Sequence, residues 1–250
     1  MPITTQFPKP NSFHIFSQAV LRKHRYARDR KSTQFLKILL EQAQERRSRL
    51  RAGTIVWRAQ LGGASMVIDD QGNEISIPFG PERMKPRPGR ASEGRANPKG
   101  ISYLYTATHE KTAMLEIRPW RGSLVTLAKL KLMRPLTVVD CVVDCRPKVR
   151  PFKGVARHEW DQSVWWDVGN AFSAPIVSTD DSADYAPSQI IAESFMLNGF
   201  DGIRYRSGFG EGHNIVLFDL HAADVVGLRS LYSVVRIDAE FRIVGDSSQR

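Results

Sequence analysis

The sequence predicts an α+β fold in which a few helices accompany a larger number of strands, preceded by a helical N-terminal extension. Strand signals, meaning runs of β-branched and aromatic residues, recur along the chain from Thr54–Ala59 onward. Helical spacing of apolar residues is limited to 32–51, a short stretch after residue 108, and 187–198. The 250 residues are 42% hydrophobic and 25% charged, which is enough apolar material for one substantial core.

Basic charge is concentrated at the front of the chain. The formal net charge is +10, and residues 1–52 hold twelve Lys or Arg against three Asp or Glu. Residues 53–250 are nearly neutral, with twenty-four against twenty-three. We therefore divide the chain into a basic, partly helical extension over 1–52 and a main domain over 53–250. The extension either binds nucleic acid or an acidic partner, or docks on the main domain with a solvated basic face.

The first strand of the main domain, Thr54–Ala59, carries Arg58 in its interior. A charged side chain inside an apolar strand needs an anion or open water, so Arg58 is either a ligand-binding residue or an edge residue facing solvent. Residues 60–100 are rich in Gly and Pro and hold six basic residues, which predicts a long loop. Such a loop either covers an anionic ligand such as a pyrophosphate or is solvated. A strand over Ile101–Tyr105 follows it.

A carboxylate lies on the next predicted element. The stretch Tyr105–Arg118 is typical of a strand end, a cap at Thr108 or His109, and a short helix that Pro119 ends. Glu116 lies at the edge of the apolar face of this helix. It is either a solvated surface residue or a carboxylate that serves chemistry in a cleft.

The rest of the chain predicts further strands, one helix and a glycine-rich hairpin. Strands are expected at 123–132, 137–143, 233–237 and 241–244, irregular chain at 146–182, and a helix at 187–198. Between Phe200 and Leu220, two strands flank a glycine-rich turn that starts with Ser207. Because a strand rather than a helix follows the glycines, the sequence favours a tight hairpin over a nucleotide-binding loop. The turn instead places a hydroxyl and backbone amides at the rim of a sheet.

Other kinds of site are disfavoured. Cys141 and Cys145 lie four apart in a predicted strand, about 13 Å, which is too far for a disulfide and predicts buried thiols in a reducing compartment. No apolar run is long enough to span a membrane, and the N-terminus lacks the apolar core of a secretory signal, which favours a cytoplasmic protein. The six histidines lack metal-ligand spacing, so we expect no metal site.

Several separate stretches match one known pattern. They are V-W-R-A at 56–59, N-P-K-G-I-S-Y-L-Y-T-A at 97–107, T-A-M-L-E-I at 112–117, Y-A-P-S-Q-I-I-A-E at 185–193, G-F-D-G-I-R-Y-R-S at 199–207 and G-H-N-I-V-L-F-D at 212–219. In this order they resemble the RES-domain family, named for an arginine, a glutamate and a serine, over roughly residues 53–225. Leu115 departs from the smaller residue that is common at its position. The resemblance does not cover the N-terminal extension.

The resemblance implies a fold, a substrate and a partner. RES proteins are typically toxins of bacterial toxin–antitoxin pairs, with a mixed, split β-sheet like that of ADP-ribosyltransferase toxins. They take NAD as substrate and cleave its nicotinamide–ribose bond by hydrolysis or phosphorolysis, or transfer ADP-ribose to a protein. No cofactor beyond the NAD substrate is implied. The implied partner is an antitoxin with an Xre-like DNA-binding part, which blocks the active cleft and provides an indirect link to nucleic acid.

The resemblance also implies roles for single residues. Glu116, Arg58 and Ser207 are expected to be catalytic. Glu116 would stabilise the cationic ribose, Arg58 would grip the diphosphate, and Ser207 would hydrogen-bond the nicotinamide ribose or amide. Tyr105 is expected to stack on the nicotinamide ring, and Asn214 completes the substrate-binding set. Two other interpretations stay open: a nucleic-acid-binding module that uses the basic extension, and an inactive fold kept for binding.

Overall fold

A computed structural model of the protein describes residues 5–68, 70, 72–144, 157–174 and 182–238. Within these residues the chain forms five α-helices and ten strands. The helices are α1 Ser12–Arg22, α2 Arg30–Glu45, α3 Glu110–Glu116, α4 Arg157–Ser173 and α5 Ala186–Leu197. The strands are β1 Arg47–Leu50, β2 Ile55–Leu61, β3 Ala64–Val67, β4 Glu74–Ile77, β5 Leu104–Ala107, β6 Leu124–Leu132, β7 Leu136–Asp140, β8 Gly202–Arg206, β9 His213–Leu217 and β10 Ala223–Ser233.

Eight of the described strands form one mixed sheet in the order β1-β7-β8-β9-β5-β2-β6-β10. β7 and β8 run parallel, whereas the other neighbouring strands run antiparallel. β3 and β4 form a separate two-stranded hairpin. The predicted α+β fold with a mixed sheet is therefore confirmed.

The large sheet is nearly divided between two of its central strands. β2 pairs with β6 along its whole length, from Ile55 to Leu61, but with β5 only where Trp57 meets Ala107. Beyond this pair the ladder is interrupted, so β1-β7-β8-β9-β5 form one half and β2-β6-β10 form the other. We call the interruption between β2 and β5 the central gap, and it positions the candidate site.

Four helices cover one face of the larger half of the sheet. α1, α2, α4 and α5 pack there around a core whose largest fully buried side chains include Phe7, Phe16, Trp165 and Phe195. Two of these aromatic residues come from residues 1–52 and two from the main domain, so both parts share one core. The Arg46 guanidinium lies 4.7 Å from the centre of the Trp165 ring. Part of the positive charge of the extension thus serves its docking on the main domain.

The predicted helix over 32–51 is wrong in its second part. α2 ends at Glu45, and the next residues form edge strand β1, which pairs with β7. Exposed arginines alternate in β1 with half-buried Ser48 and Leu50. A run of four residues is too short to distinguish the period of a strand from that of a helix. The arginines that follow the apolar helix therefore fit its last turns as well as they fit a strand.

Residues 157–173, predicted to be irregular, form helix α4. Its buried residues include Val164, Trp165, Val168 and Phe172. Gly169 interrupts this pattern because the helix approaches the chain after β7, where an added Cβ would lie 2.5 Å from the Cys141 carbonyl oxygen. Glycine lowers the helix propensity of this segment, so the sequence alone favours irregular structure there. The glycine is needed because the helix packs closely against the chain after β7. The remainder of the predicted irregular stretch, 146–156 and 175–181, is outside the described residues.

The closing strand lies earlier in the chain than predicted. β10 spans Ala223–Ser233, whereas most of the 233–237 segment predicted as a strand is not one. The pairing of β10 with β6 shifts between Val226 and Ser230, around Gly227 with φ of +66°. A bulge breaks the alternation from which a strand is predicted. The strand predicted at 241–244 is outside the described residues.

The sequence also predicts buried thiols, no membrane-spanning segment and no metal site. Cys141 is buried, and burial raises the pKa of its thiol well above the usual range, whereas Cys145 is outside the described residues. Within the described part of the chain, no helix combines the length and apolar character needed to cross a bilayer. The same residues contain no group of three or more His, Cys, Asp or Glu that could hold a metal ion.

Candidate active site

Helix α3 brings a carboxylate to the edge of the central gap. The helix begins after the N-cap residue His109 and ends at Glu116. Ala113 on its inner side is buried with Ala59 of β2 and Ala107 of β5. Because these side chains are small, the helix lies close to the sheet, and its last residue reaches the cavity between the two strands. Glu116 is half-buried there.

The glycine-rich hairpin between β8 and β9 docks on the same helix. The Thr112 hydroxyl donates a hydrogen bond to the Glu211 carbonyl oxygen. An added Cβ at Gly210 would lie 2.9 Å from Thr112 Oγ1, and one at Gly212, where φ is +82°, would clash with the His109 ring. The glycines thus allow a close approach between hairpin and helix. This contact places Ser207, the first residue after β8, beside the end of α3.

Three of the predicted site residues meet at one carboxylate oxygen. Glu116 Oε1 accepts hydrogen bonds from Ser207 Oγ at 2.6 Å and from Asn214 Nδ2 at 2.7 Å. Asn214 is buried in β9, so its amide is a fixed donor. Within the described residues, no hydrogen bond is formed by Glu116 Oε2. One carboxylate oxygen is therefore held in place while the other is free for a ligand.

The hydrogen-bonding capacity of the Ser207 hydroxyl is already used. Its proton is donated to Glu116, and its oxygen accepts the backbone N–H groups of Phe209 and Gly210, both at 3.1 Å. A serine hydroxyl has one donor and two acceptor positions. In this arrangement Ser207 acts on the carboxylate and on the hairpin, and a direct bond to a substrate would require one of these bonds to break.

Arg58 crosses the central gap from β2. Its Nη1 donates a hydrogen bond to the Tyr105 carbonyl oxygen at 2.8 Å, whereas its Nε is buried and, within the described part of the chain, has no partner. Burial, followed by repulsion from Arg83, lowers the pKa of Arg58 to about 10. The guanidinium is still protonated at neutral pH, and among the described residues it forms no ion pair. A bound anion would relieve both its desolvation and its repulsion from Arg83.

Tyr105 connects the site to the preceding loop. Its hydroxyl donates to Asn97 Oδ1 at 2.7 Å and accepts the Ala96 N–H at 3.1 Å. Asn97 is itself buried and donates to the carbonyl oxygens of Ser92, Pro98 and Ile101, which fixes the shape of the loop. Burial raises the pKa of Tyr105 to about 12, so the phenol is neutral. Tyr105 is also one of the residues that line the central gap.

Two cavities meet at Arg58 and Tyr105. The smaller, of about 220 Å³, also contains Glu116, Asn214, Tyr205, Trp57 and Ile117. The larger, of about 570 Å³, is lined on its other sides by Gln60, Arg83, Arg87, Arg90, Asn97 and Tyr103. We call the first the carboxylate pocket and the second the arginine cavity. A ligand with an uncharged or cationic end and an anionic end fits this pair of cavities.

The structure brings together all five residues predicted for the site. Arg58, Tyr105, Glu116 and Asn214 line the carboxylate pocket, and Ser207 supports it through Glu116. Sequence reasoning missed Tyr205, a buried residue of β8 whose pKa is raised by burial, and also Asn97. Both lie inside stretches that carry the resemblance, which was the available signal. The roles of Tyr205 and Asn97 depend on residues that contact them across the sheet and the loop, and the sequence alone does not predict these contacts.

Comparison with known proteins gives two matches. Curated proteins give no match. Among solved structures, the crystal structure of the M. tuberculosis MbcT–MbcA toxin–antitoxin complex is similar, with 13% identity, a TM-score of 0.42, and coverage of 79% of this chain and 92% of that chain. The family model described as RES domain matches residues 56–239, well over half of the chain. The protein therefore belongs to the RES domain family.

Proposed function

We propose that the protein consumes NAD by cleaving the bond between nicotinamide and ribose, and that it acts as the toxin of a toxin–antitoxin pair. The observation that carries this proposal is the arrangement around the central gap. The Glu116 carboxylate is fixed at one oxygen and free at the other, at the wall of a pocket that shares Arg58 with a cavity rich in arginine. NAD has the complementary shape, with a cationic nicotinamide ribose at one end and a diphosphate in its middle.

Glu116 would stabilise the transition state. When the N-glycosidic bond breaks, its electron pair goes to the nicotinamide nitrogen, and positive charge develops on the ribose. A carboxylate held beside the ribose favours that charge, and its free oxygen Oε2 is the atom available for it. Nicotinamide leaves as a neutral molecule, so its departure needs no proton. Hydrogen bonds from Ser207 and Asn214 keep the carboxylate oriented before the charge develops.

Arg58 would bind the diphosphate at the junction of the two cavities. A guanidinium offers a planar set of donors that matches phosphate oxygens, and this one is desolvated, with an Nε that has no hydrogen-bond partner among the described residues. The arginine cavity would then hold the ADP portion of the substrate. Tyr105 lies at the same junction, where it would stack on the nicotinamide.

Release of nicotinamide from NAD by the purified protein tests the reaction. We expect Glu116→Gln to lower the rate about 100- to 1,000-fold, as is typical when one stabilising group for a developing charge is removed. Glu110→Gln, on the exposed first turn of the same helix, is the matched control and should leave the rate unchanged. The products identify the acceptor: ADP-ribose for water, its 1-phosphate for phosphate, and labelled protein for transfer. No nicotinamide release with any acceptor contradicts the proposal.

Growth tests the biological role. Expression of the protein should lower cellular NAD and stop growth, whereas Glu116→Gln should do neither. The proposed partner is an antitoxin with an Xre-like DNA-binding part that covers the central gap. Genomic fragments that restore growth should encode such a protein, and its addition should inhibit nicotinamide release. Growth arrest that persists with Glu116→Gln would argue for toxicity of another origin.

A further inference from the structure

The arginine cavity carries more positive charge than a diphosphate requires. Arg58, Arg83, Arg87 and Arg90 line it, and no acidic residue is among the described residues of its wall. Among the described residues, none of these four arginines forms an ion pair. The diphosphate of NAD carries two negative charges. Arg58 and Arg83, which lie close enough to repel each other, are sufficient to balance these charges.

The two remaining arginines are presented together by one turn. Arg87 and Arg90 lie three residues apart, and the N–H of Arg90 bonds to the carbonyl oxygen of Arg87 at 3.2 Å. Hydrogen bonds fix this turn at both of its ends. The Ser102 hydroxyl donates to the Arg87 carbonyl at 2.9 Å, and the Gly100 N–H donates to the Ala91 carbonyl at 3.0 Å.

This fastening makes the pair of arginines part of the cavity wall. Asn97 connects the turn to Tyr105, since its side chain donates to the Ser92 carbonyl and accepts from the Tyr105 hydroxyl. Both arginines are exposed, so their guanidinium groups are open to a ligand. Two guanidinium groups on the wall of one cavity balance the charge of a phosphate dianion, and each offers it a planar set of donors.

We infer that Arg87 and Arg90 bind a phosphate dianion in addition to the diphosphate held by Arg58. This inference rests on the proposed function and extends it to the substrate class. The dianion has two sources: the 2′-phosphate of a phosphorylated dinucleotide such as NADP, or a free phosphate ion beside an unphosphorylated one. The first source makes the protein selective for the phosphorylated dinucleotide.

Calorimetric binding of two product-like ligands, ADP-ribose and 2′-phospho-ADP-ribose, tests the inference. The wild-type protein should bind the phosphorylated ligand about 10- to 100-fold more tightly, as expected for a charge-assisted, bidentate contact. Arg87→Gln combined with Arg90→Gln should abolish this difference, because the double change weakens binding of the 2′-phosphorylated ligand more than binding of ADP-ribose. The control, Lys99→Gln combined with Arg121→Gln, removes the same charge from exposed positions outside the cavity and should preserve the difference.

The alternative source is tested by titrating inorganic phosphate into the ADP-ribose complex. If free phosphate is the ligand, the wild-type complex binds it, the double cavity variant does not, and the 2′-phosphate adds nothing. The inference is overturned if neither form of phosphate adds affinity, if the wild-type protein binds neither ligand, or if the double variant weakens ADP-ribose as much as its 2′-phosphate. Because the readout is binding, absence of nicotinamide release refutes the proposed reaction without deciding this question.

Discussion

Replacing Ser207 with alanine separates two roles for this residue, orientation of the carboxylate and direct contact with the substrate. The change removes the hydrogen bond from Ser207 Oγ to Glu116 Oε1 and the acceptor for two backbone N–H groups of the hairpin. Asn214 still donates to the same carboxylate oxygen. The variant therefore loosens Glu116 without freeing it completely.

The expected size of the effect follows from these contacts. A hydrogen bond to a charged group contributes about 1.5–3 kcal/mol, and 1.4 kcal/mol corresponds to a factor of ten. If this contribution is lost mainly in the transition state, kcat falls about 10- to 100-fold while KM changes less than about threefold. The amides of Phe209 and Gly210 are exposed and find water instead, so stability should fall by about 1 kcal/mol, or about 2–4 °C in Tm.

Nicotinamide release measured over a range of NAD concentrations, together with thermal unfolding, checks the orientation role. Ser207→Thr keeps the hydroxyl and should recover a large part of kcat. A rise in KM with unchanged kcat would show instead that Ser207 binds the substrate directly. A loss of the cooperative unfolding transition would assign Ser207 to the stability of the hairpin, and orientation of Glu116 would no longer explain the activity loss.

Other predictions follow from the same contacts. Gly212→Ala combines a positive φ with a clash against the N-cap histidine of α3, so it should lower Tm more than Gly89→Ala, which has a positive φ but open space around it; equal Tm values would contradict tight docking of the hairpin. Asn214→Asp should reduce nicotinamide release more than Asn214→Ala, because a second carboxylate beside Glu116 repels it; the reverse order would argue against this contact. Affinity for ADP-ribose should be constant from pH 7 to 9 and fall as the pH rises through about 10, where Arg58 loses its proton; calorimetry at these pH values measures this, and a flat profile would exclude Arg58 from anion binding.

Local patterns in the sequence were sufficient to predict the strands and the helix that carry the residues of the candidate site. The β-branched run around Arg58, the short helix ending at Glu116 and the hairpin around Ser207 each have a period and a boundary signal within a few residues. The rejection of a nucleotide loop was also local, since a strand rather than a helix follows the glycines. The meeting of these residues at one carboxylate is a tertiary fact, and only the resemblance to a family predicted it.

Several features that the sequence does not predict depend on contacts outside their own stretch of chain. β1 is a short edge strand whose pairing with β7 depends on residues about ninety positions away. α4 tolerates Gly169 because it packs closely against the Cys141 carbonyl. Asn97 lies in a Gly- and Pro-rich loop whose sequence is typical of a solvated segment. Its amide group nevertheless fixes the loop and accepts a hydrogen bond from the Tyr105 hydroxyl. For β1 and Asn97 the deciding contact lies far away in sequence or in a buried polar network, where local periodicity carries no information. The buried residues of α4 do recur at helical spacing, and Gly169 weakens that local signal.

The interruption of the sheet explains why a site forms where it does. The Trp57–Ala107 register would bring Arg58 opposite Thr106 if the antiparallel ladder continued. Because it stops, the Tyr105 carbonyl lacks a backbone donor from β2, and the Arg58 side chain satisfies it instead. That bond holds the desolvated guanidinium in the gap, between the two cavities. A continuous sheet would bury the same residues in a ladder, so the incomplete pairing of β2 with β5 is the feature that leaves room for the candidate site.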